Sequence, residues 1–443
     1  MFRTSATRSA ARLWVLLPVF ALASCGGNDT GAIITVPNSV VVADLRHAGV
    51  MDIVEASAQI DETGLTQKPG LVSVILNSTA APGNFAASAD YATNSSPPSG
   101  LAVGDLTGNG SQDLVVANIT TGTLAVFMET SPTSGTYPTK ATTINVGGQP
   151  NDVQIADLNG DGLPDLIVAD NTGKVTYLIQ NASSPGTFAT GVSLPITNPA
   201  ITAEGSAFST RAISVAVGDL NGDGLPDLAV TSFDINGDYG QLTLYFQDPA
   251  HPGTFLATPQ VINTFCEPSQ VKIADIDKDG SNDLAIACQG LGANSDLNAL
   301  SDGNPLGQIA VAESNYGALI IMQNASSPGT FAAPIGYPSI NGAISLAIGD
   351  LNMDGLPDIA MVSLYPQGQG EVAVLLQDAT NAGTFPTIET YSGSGQPVSI
   401  VIGDMNNDGL PDLVIADATT AVWFENVVGG AGTFNTEGQV GFH

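Results

Sequence analysis

The chain has 443 residues, of which 43% are hydrophobic, and 42 Asp and Glu against 10 Lys and Arg leave a formal net charge of -32. Such a surface repels phosphate backbones and anionic bilayers, which excludes nucleic acid as a partner. The hydrophobic share excludes wholesale disorder, and 50 glycines, 27 prolines and short Val-, Ile- and Ala-rich runs point to an all-β chain with many turns.

The N-terminal segment reads as a targeting signal. Arg3, Arg8 and Arg12 form a positive region ahead of an apolar run over 13–23. That run is shorter than the about 20 residues that a bilayer-spanning helix needs, and it fits the core of a signal peptide. It ends in Leu22-Ala23-Ser24-Cys25, followed by Gly26 and Gly27. This end resembles the bacterial lipobox, so Cys25 is expected to become the lipidated first residue of the mature chain after removal of 1–24. Gly rather than Asp after the cysteine resembles lipoproteins sent to the outer membrane. Residues 25–32 then form a short tether, and the membrane is reached only through the lipid anchor.

From about residue 33 to 443 one unit repeats seven times. Its first marker is an acidic nine-residue loop, D-x-N-x-D-G-x-x-D, set between two short apolar runs. Asp157–Asp165 and Asp219–Asp227 share the same nine letters, and close copies run Asp275–Asp283, Asp350–Asp358 and Asp404–Asp412. Asp105–Asp113 is weaker, and Asp44–Asp52, with Arg46 and Ala48 at positions 3 and 5, is degenerate. The second marker is a turn of the form G-T-F, whose glycines are Gly83, Gly135, Gly186, Gly253, Gly329, Gly383 and Gly432. A third apolar run precedes each turn and a fourth extended segment follows it. Four short strands per unit predict a seven-bladed β-propeller with four-stranded antiparallel blades, because stacking sheets around an axis buries their faces. Closure is expected either by pairing 33–36 with the last blade, or by 433–443 completing that blade alone. Trp423, in the third run of the last unit, is expected to pack between blades.

The acidic loops suit calcium, which takes six to eight oxygen ligands at flexible geometry. Positions 1, 3, 5 and 9 offer side-chain oxygens, position 7 a carbonyl, and Gly at position 6 permits the sharp turn. The expected ligands are Asp157, Asn159, Asp161, Leu163 and Asp165; Asp219, Asn221, Asp223, Leu225 and Asp227; Asp275, Asp277, Asp279, Ser281 and Asp283. They continue with Asp350, Asn352, Asp354, Leu356 and Asp358, and with Asp404, Asn406, Asp408, Leu410 and Asp412. Asp105, Thr107, Asn109, Ser111 and Asp113 form a sixth, weaker set. Five to six calcium ions are therefore expected. The first loop is expected to stay empty, since Arg46 puts a cation beside the metal position and Ala48 removes a ligand. Cys266 and Cys288 flank the Asp275 loop, and an oxidising compartment permits a disulfide between them.

With these loops and turns in register, the chain resembles the FG-GAP/VCBS repeat family of seven-bladed propellers, which includes the integrin α-subunit head. The resemblance implies calcium in the loops between first and second strands, and ligands on the opposite disc face. The longest connections on that face are 289–316 and 189–211. The leading functional expectation is a non-catalytic binding or adhesion module at the cell surface, with an extracellular protein or glycan as partner. Alternatives are a polysaccharide lyase-like enzyme or a self-assembling surface protein. His47, His251 and His443 sit in no nucleophile or catalytic-metal pattern.

Overall fold

The repeated alternation of apolar runs with Asp-, Asn- and Gly-rich turns makes the chain extend, reverse and extend again. The computed structural model describes residues 33–61, 67–94, 97–196, 210–234, 239–264, 266–289, 316–338, 342–364, 370–392, 395–417, 421–427 and 432–440. Among these residues it forms seven four-stranded antiparallel sheets, each with its strands in chain order. These sheets are blades 1 to 7 and span 33–92, 98–145, 150–195, 210–263, 268–338, 343–392 and 397–440. The expected signal peptide, Cys25 and the tether lie outside the described residues.

The core lies between blades. Seven apolar clusters form, and each is shared by two neighbours, such as Val54, Val72 and Tyr91 of blade 1 with Leu114, Val116 and Phe127 of blade 2. Second strands meet a neighbour on both faces and are buried throughout, as in Asp165–Asp170 and Asp412–Asp417. Inner strands of neighbouring blades set a glycine against a large aliphatic residue, as in Gly104 with Ile155 and Gly349 with Ile402. A Cβ on Gly218 of blade 4 would lie 3.0 Å from Ile273 of blade 5.

Each pairing of a first with a second strand skips a residue near its start, giving seven bulges in equivalent places. A bulge frees one residue from the ladder and re-aims it. Four of the freed side chains donate to a carbonyl of the next blade: Asn38 to Pro98 (2.7 Å), Ser99 to Pro150 (2.8 Å), Asn151 to Ile213 (2.6 Å) and Ser269 to Ala343 (2.9 Å). These four bonds tie together the inner strands of blades 1 to 4, and those of blades 5 and 6.

Closure uses no exchanged strand, and the expectation that 33–36 pairs with the last blade is corrected. Ile33–Ala43 runs wholly within blade 1, where Ile34 faces Ile60. Blade 7 takes its outer strand from its own end, Phe434–Val440, with Val440 opposite Ala421. Blades 7 and 1 meet through side chains instead. Asn77 Nδ2 donates to Met405 O at 2.7 Å, and Phe85 packs edge-on against Trp423 at 6.3 Å. Trp423 therefore sits between blades, as its neighbours suggested.

The acidic loops link first to second strands, and the G-T-F turns link third to fourth, so both lie on one face. The other face carries the connections between second and third strands and between blades. The long run 189–211 begins with an outer strand, Val192–Pro195, and reaches the next blade at Thr210. Residues 197–209 and 290–315 lie outside the described residues. Cys266, just before the inner strand of blade 5, is bonded to Cys288 at the end of its second strand, with Cα atoms 5.7 Å apart.

Candidate metal centres

Each acidic loop is shaped by hydrogen bonds from its own backbone to its own acids. In the Asp157 loop, the position-1 carboxylate accepts from Gly160 (2.8 Å) and Gly162 (2.8 Å). Asn159 Oδ1 accepts from Asp161 N (3.0 Å), and Asp161 Oδ1 from Leu163 N (2.9 Å). The pattern recurs in the Asp219, Asp350 and Asp404 loops. Position 6 is a left-handed glycine in all seven, with φ between 76 and 91°. Position 4 is left-handed as well, and four loops carry a side chain there: His47, Lys278, Met353 and Asn407, with φ of 50 to 61°. A non-glycine residue in that region costs roughly 1–2 kcal/mol, so the surrounding bonds hold these loops in a bent form.

The position-9 aspartates are the anchors. Asp165, Asp227, Asp283, Asp358 and Asp412 are fully buried. One oxygen of each accepts the position-2 N–H at 2.9 Å, and the other accepts an N–H at or just past the end of the third strand at 2.6–2.8 Å. Burial, backed in part by the neighbouring loop acids, pushes Asp227, Asp283, Asp358 and Asp412 up to about 6, and raises Asp113 and Asp165. Carboxylates that resist ionisation together are a set that a cation would relieve.

The donor set fits such a cation. Oxygens of Asp275, Asp277 and Asp283 all lie within 4.8 Å of one another. Asp275 Oδ1 is buried without a hydrogen-bond partner, and so are Thr107 Oγ1 and Ser111 Oγ in the blade 2 loop. Hard oxygens gathered at this spacing suit calcium's 2.3–2.6 Å bonds. Asp279 is not part of that trio; its Oδ1 accepts from Ser281 N at 2.8 Å.

A further residue of each unit escaped the sequence reading. At the end of the third strand, or one or two residues past it, stands Asn77, Glu129, Gln180, Gln247, Gln323, Gln377 or Asn426. Gln377 shows its work. The N–H bonds Asp358, Oε1 accepts from Gly383 N (2.6 Å), and Nε2 donates to Pro357 O (2.5 Å) and to Ile276 O of the preceding blade (3.0 Å). Gln323 and Asn426 make the same reach to Leu220 O and Leu351 O, at 2.8 Å each. The available signal was spacing, for each of these residues stands six places before the glycine of G-T-F.

The two sequence markers are physically coupled across blades. The G-T-F glycine of one blade lies on position 3 of the preceding blade's loop. A Cβ on Gly253 would lie 2.9 Å from Asn159 Cβ, and one on Gly383 would lie 3.4 Å from Asp277 Cβ and 2.5 Å from Met322. The aromatic residue two places on packs backwards too: Phe255 on Tyr177 (5.2 Å), Phe385 on Tyr337 (5.2 Å) and Phe434 on Tyr391 (5.7 Å). Each acidic loop is therefore part of a seam between blades.

Fold and loops together define a seven-bladed propeller whose blade seams are built on acidic turns. An FG-GAP-like repeat model matches four times, over residues 105–168, 157–230, 219–286 and 354–415, which together cover more than half of the chain. The chain belongs to the FG-GAP-like repeat family. The matched repeats run from the loop of one blade into the second strand of the next, so the repeat in sequence straddles the seam in space. The chain is also similar to Integrin alpha pat-2 of Caenorhabditis elegans, 27% identical over 221 residues. That stretch is 46% of this chain and 17% of the relative.

Proposed function

We propose that this protein is a calcium-stabilised, non-catalytic binding module of the cell envelope, held by lipid on Cys25. The observation that carries the metal is the Asp275 loop, where three carboxylates converge and one buried oxygen has no partner. Calcium there would be held by Asp275, Asp277, Asp279, Asp283 and the Ser281 carbonyl, and by the equivalent residues of the loops at Asp105, Asp157, Asp219, Asp350 and Asp404. In three loops the position-3 amide donates to the position-5 carboxylate at 3.1 Å, a bond that gives way once both turn oxygens to the ion. The ion supplies charge neutralisation and cross-linking of the loop.

Family membership and the likeness to an integrin α chain support binding over catalysis. The loops serve as scaffold, so the partner, an extracellular protein or glycan, meets the opposite face, where the described residues that flank 197–209 and 290–315 lie. A net charge of -32 disfavours anionic polymers as partners. The test immobilises the full mature chain in calcium and probes a glycan array and an extract of the native envelope. Capture that is lost on shortening 295–310, with an unchanged melting curve, supports the reading. A folded chain that captures nothing from either source, but degrades an acidic polysaccharide, overturns it.

A further inference from the structure

Blade 1 treats its acids differently from the other blades. Arg46, at loop position 3, spans the buried Asp52 carboxylate with Nη2 2.7 Å from Oδ1 and Nε 3.3 Å from Oδ2. Nη2 also donates to Asn77 O, two residues past the third strand. The position-1 acid is satisfied as well, since Asp44 accepts from Ala48 N and Gly49 N at 2.8 Å each. The position-9 acid of this loop is held by a side-chain cation, and among the described residues no other loop acid forms an ion pair; the blade 2 and blade 5 loops leave Thr107 Oγ1, Ser111 Oγ and Asp275 Oδ1 without a partner. A forked guanidinium–carboxylate pair is among the stronger charge-assisted contacts, and it cannot dissociate from the chain.

We propose that Arg46 is a built-in substitute for calcium, which keeps the blade 1 loop and the seam between blades 1 and 2 closed at any calcium concentration. The contrast with the other seams rests on the calcium reading above; the role of Arg46 itself does not. The seam depends on Arg46 because the blade 2 turn lies on its stem. A Cβ on Gly135 would lie 3.4 Å from Arg46 Cγ, in the place where Gly253 meets Asn159, and 2.8 Å from Leu76, also of blade 1. His47, the next residue, bonds Gly110 O of the blade 2 loop at 2.7 Å. Tyr91 of blade 1 packs edge-on against Tyr137 at 5.6 Å and bonds its N–H at 3.2 Å. The remaining six seams each contain a loop that needs a free ion. When calcium falls, those seams loosen while blades 1 and 2 stay joined.

Hydrogen exchange on the full chain, in calcium and in chelator, tests this. Chelation should speed exchange by roughly fivefold or more in 157–165, 219–227, 275–283, 350–358 and 404–412, and leave 44–52 and 131–137 within about twofold. Blade 1 should divide internally, because its turn at 81–85 rests on Asn406 of blade 7 and should respond. Acceleration of 44–52 and 131–137 equal to that of 157–165 overturns the proposal. If no loop responds, calcium itself is wrong, and Arg46→Met decides the role of Arg46. That variant should exchange about tenfold faster at 44–52 and 131–137, in calcium and chelator alike; unchanged exchange refutes the role. Should it fail to fold, Arg46→Lys, which keeps the charge and loses the fork, carries the same readout.

Discussion

Blade 2 shows how a single residue's chemistry propagates. Two residues past its third strand stands Glu129 where other blades have Asn or Gln, and a carboxylate cannot donate to the position-8 carbonyl. The same blade has Tyr137 in place of the usual Phe, and its hydroxyl donates to that carbonyl, Gln112 O, at 2.7 Å. Glu129 instead accepts from Gly135 N (2.6 Å), Ser134 N (2.8 Å) and Gln112 N (3.2 Å). Tyr137→Phe should cost about 1–2 kcal/mol by leaving that carbonyl unpaired. Adding Glu129→Gln should recover most of it, giving a coupling of roughly 1 kcal/mol in a urea-denaturation double-mutant cycle.

The position-9 aspartates make a second prediction at this scale. Without metal, Asp227, Asp283, Asp358 and Asp412 titrate near 6 in the fold, against 3.8 when exposed. The native state then holds more protons than the unfolded chain between these values, so metal-free stability falls as pH rises from about 4 to 6. Calcium held by these loops as proposed would compete with those protons. The gain in melting temperature on adding calcium should therefore be small at pH 4 and complete above pH 6. An equal gain at both would refute the competition.

At the scale of elements, the unit of stability is the seam. Loop, turn glycine and third-strand amide of adjoining blades form one hydrogen-bonded assembly, and the aromatic contacts lock it from the side. Gly253→Ala is the sharpest probe. It forces a side chain into φ +85° and brings a Cβ to 2.9 Å from Asn159 Cβ. A loss of about 1–2 kcal/mol is expected from the backbone alone. The informative part is placement: the substitution is in blade 4, yet calorimetric titration should show weaker calcium binding at the blade 3 loop. Gly147→Ala, at φ +68° outside every acidic loop and with nothing within 4 Å of its Cβ, supplies the strain without the clash.

For the whole molecule, ring closure and metal should act together. Calcium modules of about 10⁻⁴–10⁻³ M affinity contribute roughly 0.4–1.4 kcal/mol per site at about 1 mM calcium. Six sites could then rival the whole net stability of an ordinary domain, about 5–15 kcal/mol. Chelator should lower the melting temperature markedly, and an unchanged curve would count against every loop assignment. The Cys266–Cys288 bond closes a 22-residue span within blade 5. Its removal by paired Ser substitution should cost about 3 kcal/mol. The loss should persist in chelator, since the bond and the loop act on different parts of the blade.

Blade number, strand order and the face carrying the loops were legible in sequence because each rests on local chemistry repeated in register. Asp157–Asp165 must turn, and the Val- and Ile-rich runs around it must extend, whatever surrounds them. The acids, Gly162 and the G-T-F glycines could likewise be counted without a fold. What lies between blades was not legible, because its partners are far apart in the chain. Gln377 reaches Ile276, Asn426 reaches Leu351, and Asn77 reaches Met405 from the opposite end of the chain. Closure was undecided for the same reason: Ile33–Ala43 could extend in either blade, and packing placed it in the first. Arg46 read only as an obstacle to metal until the fold set it across Asp52 and beneath Gly135. The sequence by itself determined the blade; tertiary contact alone decided the seam, because a seam is made of one blade's turn resting on another blade's loop.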